Sequence, residues 1–389
     1  MTRDFVFSKT PFLHFGEHKF HQLSKLLKPY GSSVALMTGK NSFVNSDHWT
    51  QLQELFEKAS IRWKLHQVGK EPTPEMVDNA VRFFTGEEVH AVVAIGGGSV
   101  VDAGKAVSAM IPLGPGVKDY LEGVGTRSHP GIKIPFIAIP TTAGTGSEAT
   151  KNAVISSTGE NGFKKSLRHD HFVPDIALVD PLLSLNCPAY ITAYSGMDAF
   201  TQLLESYLST AGSPLTDALA LEGLHYIKTS LAESFADGYN NRLARAGMAY
   251  ASYLSGVTLA NAGLGTVHGF ASVIGGYYDI PHGVICSRLM YTCNKYTLAA
   301  ARKNKEMKVL DKYYTAASLF FKTDQSRDYL TDAFLDLIDK WTHEMNIPGL
   351  AACGVKREDL SRIAKETENK NNPVNFTAGE LEEILASAL

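Results

Sequence analysis

HAVVAIGGGSVVDAGKAVSAM, residues 90–110, is the stretch on which the fold turns. Its first part is an apolar run rich in Val and Ile, stopped by Gly96, Gly97 and Gly98; from Val100 the spacing becomes helical. A strand that is apolar throughout has no solvated face, so it belongs inside a sheet covered on both sides. Glycines between a strand and a helix let the backbone approach a pyrophosphate, and the helix N-terminus adds unpaired N–H groups and a favourable dipole. Without a ligand, the same residues read as a tight strand-to-helix turn. The spacing is not GxGxxG, so the Rossmann fingerprint as such is absent.

Working outward, the pattern repeats. SSVALMTG (32–39) and IRWKLHQV (61–68) read as strands, and residues 48–58 and 75–84 have helical spacing between and after them. KIPFIAIPTT (133–142) is a further buried strand. After Asp180-Pro181 helical periods dominate and no comparable β run appears. The expectation is an α/β domain with a parallel sheet over 1–181 and an all-α domain over 182–389.

Composition sets outer limits. A chain of 389 residues is too long for one core and suggests two domains. A formal charge of −3, without a basic stripe, argues against a nucleic-acid partner. The N-terminus has no apolar run of signal-peptide type. Cys187, Cys286, Cys293 and Cys353 are far apart with no CxxC, which points to a reducing, cytoplasmic setting and excludes a thiolate zinc site. Residues 246–278 carry no Asp, Glu, Lys or Arg, but their Gly, Ser, Thr and Asn content suits buried helices better than a membrane span.

Two further segments carry polar chemistry. TTAGTGSE (141–148) follows a strand and alternates hydroxyls with glycines, a pattern able to wrap a phosphate or ribose or to form a solvated loop. Two such loops at strand C-termini favour a nucleotide site, because ligands of open α/β sheets bind at that edge. In GMDAFTQLLESYLS (196–209), Asp198, Gln202 and Glu205 share one helical face. With His268 and His282, Asp198 and Gln202 form a candidate set for a divalent metal, against the plain alternative of a solvated face and two unrelated histidines.

Together GGGSVVDAGKA, PTTAGTGSEAT, PDIALVDP, GMDAFTQLLESY and GLGTVHGF…YYDIPHG resemble the iron-containing (group III) alcohol dehydrogenases, in the family's order from Val34 to about Pro373. The resemblance implies hydride transfer between NAD or NADP and a small alcohol or aldehyde, with the site between an N-terminal dinucleotide-binding domain and a C-terminal helical one, in a homodimer. It assigns Gly97, Gly98 and Ser99 to the pyrophosphate, with Asp102 in the same unit. Thr141, Thr142 and Thr145 fall to the rest of the cofactor, with Asn152 and Lys165 nearby. It assigns Asp198, His268 and His282 to a divalent metal acting as a Lewis acid.

The chain departs from the family pattern twice: Gln202 stands where a third metal-binding His is expected, and Ser272 where many members carry a His. An amide oxygen is a weaker ligand than imidazole, so a metal-independent reductase is the alternative within the family. Thr38-Gly39-Lys40 ends the first strand without the acid that often selects NAD, which leaves a 2′-phosphate unopposed and Lys40 able to pair with it. A sugar-phosphate cyclase on the same architecture would need a basic cluster that 261–285 lacks. A non-catalytic cofactor-binding protein is the third reading.

Overall fold

The computed structural model describes residues 4–322 and 324–389. They divide into two compact units. One comprises Ser8–Ser157 and Lys164–Cys187; the other comprises Pro188–Leu389, the loop Thr158–Phe163 and the described residues up to Phe7. The division therefore falls six residues beyond the position read from the sequence. Asp180 explains the shift: its carboxylate accepts the N–H of Leu182 (3.1 Å) and that of Phe20 (3.0 Å), tying the turn after the last strand back to the sheet unit. Leu183 then packs into that unit's core.

The α/β unit is built on six parallel strands in the order β1-β8-β5-β4-β2-β3. These are β1 (Phe12–Phe15), β2 (Ser33–Gly39), β3 (Arg62–Val68), β4 (Ala91–Gly96), β5 (Phe136–Pro140) and β8 (Ile176–Val179). β6 (Asn152–Ser157) and β7 (Phe163–Arg168) form a separate two-stranded ribbon. The central strands β2, β4 and β5 are buried almost throughout, as their unbroken apolar runs require. From β2 the chain goes first to β3 on one side and then to β4 on the other. Strand order thus reverses between β2 and β4, and the C-terminal ends there open a crevice of the kind in which such sheets hold ligands.

Helix Gly98–Met110 crosses from β4 toward β5 and is buried from Val100 to its end. Within it Lys105 is fully buried, its ammonium donating to Ser147 O (2.7 Å), Thr150 Oγ1 (2.9 Å) and Asn152 O (2.8 Å). This one side chain ties the hydroxyl-rich loop after β5 to the start of the ribbon. Burial lowers the Lys105 pKa to about 8 and raises that of buried Glu148 to about 7, each partly offset by the other's charge and, for Lys105, by Asp102.

The second unit is helical. Ala189–Leu208 is buried over nearly its whole circumference and packs against Pro214–Asp237, Arg242–Ala262 and His282–Asn304. The uncharged stretch 246–278 lies in Arg242–Ala262 and Thr266–Tyr277, which bend by 97° at Gly263, whose φ of 71° suits glycine. Among the described residues no single helix is long and apolar enough to cross a membrane.

Lys105→Met removes the tie while leaving Asp102 and Glu148 buried. It is expected to lower the unfolding free energy by about 3–5 kcal/mol. Urea unfolding checks this; an unchanged midpoint contradicts the role given to Lys105.

Candidate active site

The α/β unit gathers its polar loops at the reversal of strand order. β4 ends at Gly96, paired with Pro140 at the end of β5, and the Thr141 N–H donates to Gly96 O (2.9 Å), so both loops leave the sheet together. Val100 and Val101 donate to Gly97 O, which leaves the amides of Gly98 and Ser99 at the open end of the helix. Gly39 ends β2 on the other side of the reversal. Gly39, Gly97, Gly98, Ser99, Thr141, Thr142 and Thr145 thus stand on loops or strand ends at one edge of the sheet.

Other residues of the expected set sit differently. Asp102 is turned inward: its carboxylate accepts the Ser147 hydroxyl and the Val154 N–H (3.1 Å), so it positions the hydroxyl loop. Burial raises its pKa against the opposing charge of Lys105. Asn152 and Lys165 lie on the ribbon; the Asn152 amide donates to Ser166 (3.5 Å), and Lys165 is exposed beside Gly123. A Cβ on Gly98 would stand 2.6 Å from Thr145 Oγ1, so the two loops touch at this glycine.

The helical unit holds a second constellation. Asp198, Gln202 and Glu205 project from one face of Ala189–Leu208, and that face is buried, each residue being 5% exposed or less. Buried carboxylates need partners. Glu205 Oε1 accepts the Val267 N–H (2.7 Å), and Oε2 pairs with His268 Nδ1 (2.7 Å). A Cβ on Gly265 would come within 2.9 Å of that Oε1, so the glycine permits this approach. With Nδ1–H donated to Glu205, His268 turns Nε2 toward Asp198 Oδ1 at 3.4 Å. His282 opens the next helix and brings its Nε2 to 3.8 Å from the same oxygen. Asp198, His268 and His282, separated by up to 84 positions in the sequence, converge on one point.

Cys286 joins them, one helical turn after His282, with Sγ 3.6 Å from both His268 Nε2 and His282 Nε2. Ligand atoms of the four residues all lie within 4.8 Å of one another. The spacing argument against a thiolate site does not reach this cluster: absence of CxxC bears only on pairing along the chain, not on a cysteine brought in by a helix face. Gln202 donates from Nε2 to Asp198 Oδ2 (3.4 Å), while its oxygen accepts from Ser255 (3.1 Å). Ser272 hydrogen-bonds His268 O (2.8 Å) and receives the Lys370 ammonium at 3.3 Å.

The donor set fits a divalent ion. Asp198 Oδ1 is buried and has no well-aligned hydrogen bond, although the His268 and His282 rings face it at 3.4 and 3.8 Å, an arrangement suited to an oxygen that meets a cation. Burial would raise the Asp198 pKa, but His282 and His268 hold it below its usual value. Burial disfavours charged His268, yet Cys286, Asp198 and Glu205 raise its pKa well above normal. Burial pushes the Cys286 thiol up to about 12. A carboxylate, two imidazoles and a thiol crowded into one buried cluster, with Asp198, His268 and Cys286 all shifted, form a donor set suited to a divalent cation.

Comparison with known proteins matches both halves. The iron-containing alcohol dehydrogenase family model covers residues 10–181, and the C-terminal model of the same family covers 192–389. The chain belongs to the iron-containing alcohol dehydrogenase family. Alcohol dehydrogenase 4 of Schizosaccharomyces pombe is 31% identical over 382 residues, covering 96% of this chain and 87% of its own. The NAD-dependent methanol dehydrogenase of Bacillus methanolicus is 32% identical over 326 residues, 82% of each chain. The crystal structure of a 1,3-propanediol oxidoreductase superposes with a TM-score of 0.88 at 29% identity, covering all of both chains. The protein is therefore an NAD(P)-dependent oxidoreductase interconverting alcohols and carbonyl compounds.

Three residues that shape the site were not assigned from sequence. Lys105 gave no periodic signal beyond helix membership. Glu205 was placed on the right face, but nothing showed that face to be buried. Cys286 was discounted for want of a neighbouring cysteine, although HxxxC on a helix puts both side chains on one face.

Glu205→Ala leaves the Val267 N–H and the His268 ring without their acceptor. The expected loss of stability is about 2–5 kcal/mol, with Glu205→Gln losing less because an amide oxygen still accepts one bond. Chemical unfolding of the two variants checks the order; equal stabilities of Ala, Gln and parent contradict it.

Proposed function

We propose that this member of the family reduces small aldehydes, and oxidises the corresponding alcohols, with the dinucleotide on the α/β unit and a divalent ion on the helical unit. Asp198, His268 and His282 hold the ion; Gly97, Gly98, Ser99, Thr141, Thr142 and Thr145 cradle the cofactor. The observation that carries this reading is the convergence of Asp198, His268 and His282 on one buried point. When bound, the ion supplies Lewis-acid polarisation of the substrate oxygen and the nicotinamide supplies the hydride.

The chain's own residues do the rest. The open helix end at Gly98 and Ser99 faces negative charge with two N–H groups and a dipole. Asp102 and Lys105 hold the hydroxyl loop in register with it. Glu205 fixes which ring nitrogen of His268 is presented. Lys370, beside Ser272, brings a cation to the position where many members carry a His. The reading extends to a homodimer in the cytoplasm. The four free cysteines suit a reducing compartment, and β1 ends the sheet with Phe12 exposed. An aldehyde panel run with NADH and NADPH, after metal analysis of the purified protein, tests the proposal; no turnover of any aldehyde with either cofactor sinks it.

NADPH is expected to serve at least as well as NADH. Gly39 presents no carboxylate, and a Cβ there would meet only Val100 at 3.9 Å, so Gly39→Asp fits without strain. That variant should shift preference toward NADH by about 1–3 kcal/mol, read as the ratio of kcat/KM values. A hundredfold preference of the parent for NADH contradicts the proposal.

A charge at the helix end separates cofactor binding from fold. Ser99→Asp adds a carboxylate where the helix dipole welcomes it, so stability should hold or rise slightly. Facing a pyrophosphate, the same carboxylate should weaken cofactor binding by about tenfold or more in fluorescence titration. Unchanged affinity contradicts the pyrophosphate assignment. Gly98→Val is a poorer test, because its side chain meets Thr145 with or without cofactor.

A further inference from the structure

We propose that Cys286 is the fourth protein ligand of the ion held by Asp198, His268 and His282, and that its thiolate suits the centre to zinc in preference to iron. The inference rests on reading those three residues as a metal centre.

Distances carry the first part. Bonds of about 2.0–2.3 Å from one ion to oxygen, nitrogen and sulfur set tetrahedral donors about 3.3–3.6 Å apart. Four of the six separations here are 3.4 Å (His268 to Asp198), 3.8 Å (His282 to Asp198) and 3.6 Å (Cys286 to each His), and all six are within 4.8 Å, so small side-chain shifts close the figure round an ion. Cys286 closes the figure from the same helix face as His282, and it is fully buried. An apolar packing role for a buried thiol would not need it centred between two imidazole nitrogens.

Gln202 supplies the second argument. Its amide oxygen is committed to Ser255 and its nitrogen to Asp198 Oδ2. It therefore orients the Asp198 carboxylate so that Oδ1 faces the two rings, a positioning role. The imidazole missing at 202 and the thiol present at 286 compensate one another: four protein donors remain, one of them moved to a different helix.

Ligand chemistry then selects the metal. Thiolate is a soft donor and favours zinc, whereas carboxylate and imidazole alone serve harder ions equally well. Two anionic and two neutral ligands balance a divalent ion, where one anionic and three neutral ligands would leave it positive. The chain has exchanged some Lewis acidity for tighter retention.

Chelator-stripped protein is titrated with cobalt(II) and then zinc(II). The parent should take up cobalt with an intense near-ultraviolet sulfur-to-cobalt charge-transfer band beside the visible bands of a tetrahedral site. Cys286→Ser should lose the charge-transfer band and release zinc to a competing chelator about 10–100-fold more readily. Adding Gln202→His to that variant should restore retention without restoring the band. Cobalt bound to the parent without charge transfer, or zinc held equally by Cys286→Ser, overturns thiolate ligation and leaves the three-residue centre standing. No uptake of either metal by the parent overturns both readings. If Cys286→Ser fails to fold, the spectrum of the cobalt-loaded parent decides alone.

Discussion

Burial of a polar helix face constrains the whole helical unit of this protein. Asp198, Gln202 and Glu205 lie on Ala189–Leu208 with almost no exposure, and two carboxylates so placed must be met by donors or by positive charge. Glu205 is answered by the Val267 N–H and the His268 ring, which fixes where helix Thr266–Tyr277 begins and which way His268 faces. Asp198 is answered by His268 and His282, which fixes the start of helix His282–Asn304. Three helices are thus set by two acids. The bend at Gly263 and the close approach at Gly265 follow from the same demand.

The α/β unit solves an equivalent problem with the opposite charge. Lys105 is a buried cation answered by backbone carbonyls and hydroxyls of the loop 147–152, with Asp102 and Glu148 beside it. This network stiffens the loop that follows β5, at the edge where strand order reverses. The hydroxyl-bearing loop at that edge is held from behind by this interior lysine. Preorganisation of this kind limits the entropy lost on binding.

Much of the fold was legible in the sequence because its central strands are apolar from end to end, and β2, β4 and β5 could hardly be anything else. β1, β8 and the ribbon β6–β7 were not read: FLHF and IALV are only four residues long, and FKKSLR has no long apolar run. The unit boundary moved because Asp180 caps back to the sheet, a tertiary hydrogen bond that leaves no periodic trace. The convergence of Asp198, His268 and His282 was expected only through the family resemblance, since spacing alone does not join residues so far apart. Cys286 was hidden for a related reason. Its partners are two histidines and an aspartate, so a search for paired cysteines passes over it. Lys105 reads from sequence as an ordinary helix residue, and only burial gives it meaning.

The central claim is that one divalent ion sits where three helices of the helical unit converge. An anomalous difference map from crystals of the zinc-loaded protein, collected on both sides of the zinc absorption edge, tests it most directly. The account predicts a single strong peak about 2.0–2.3 Å from Asp198 Oδ1, His268 Nε2, His282 Nε2 and Cys286 Sγ. A map with no peak among these four atoms, or with its zinc bound elsewhere on the chain, contradicts it.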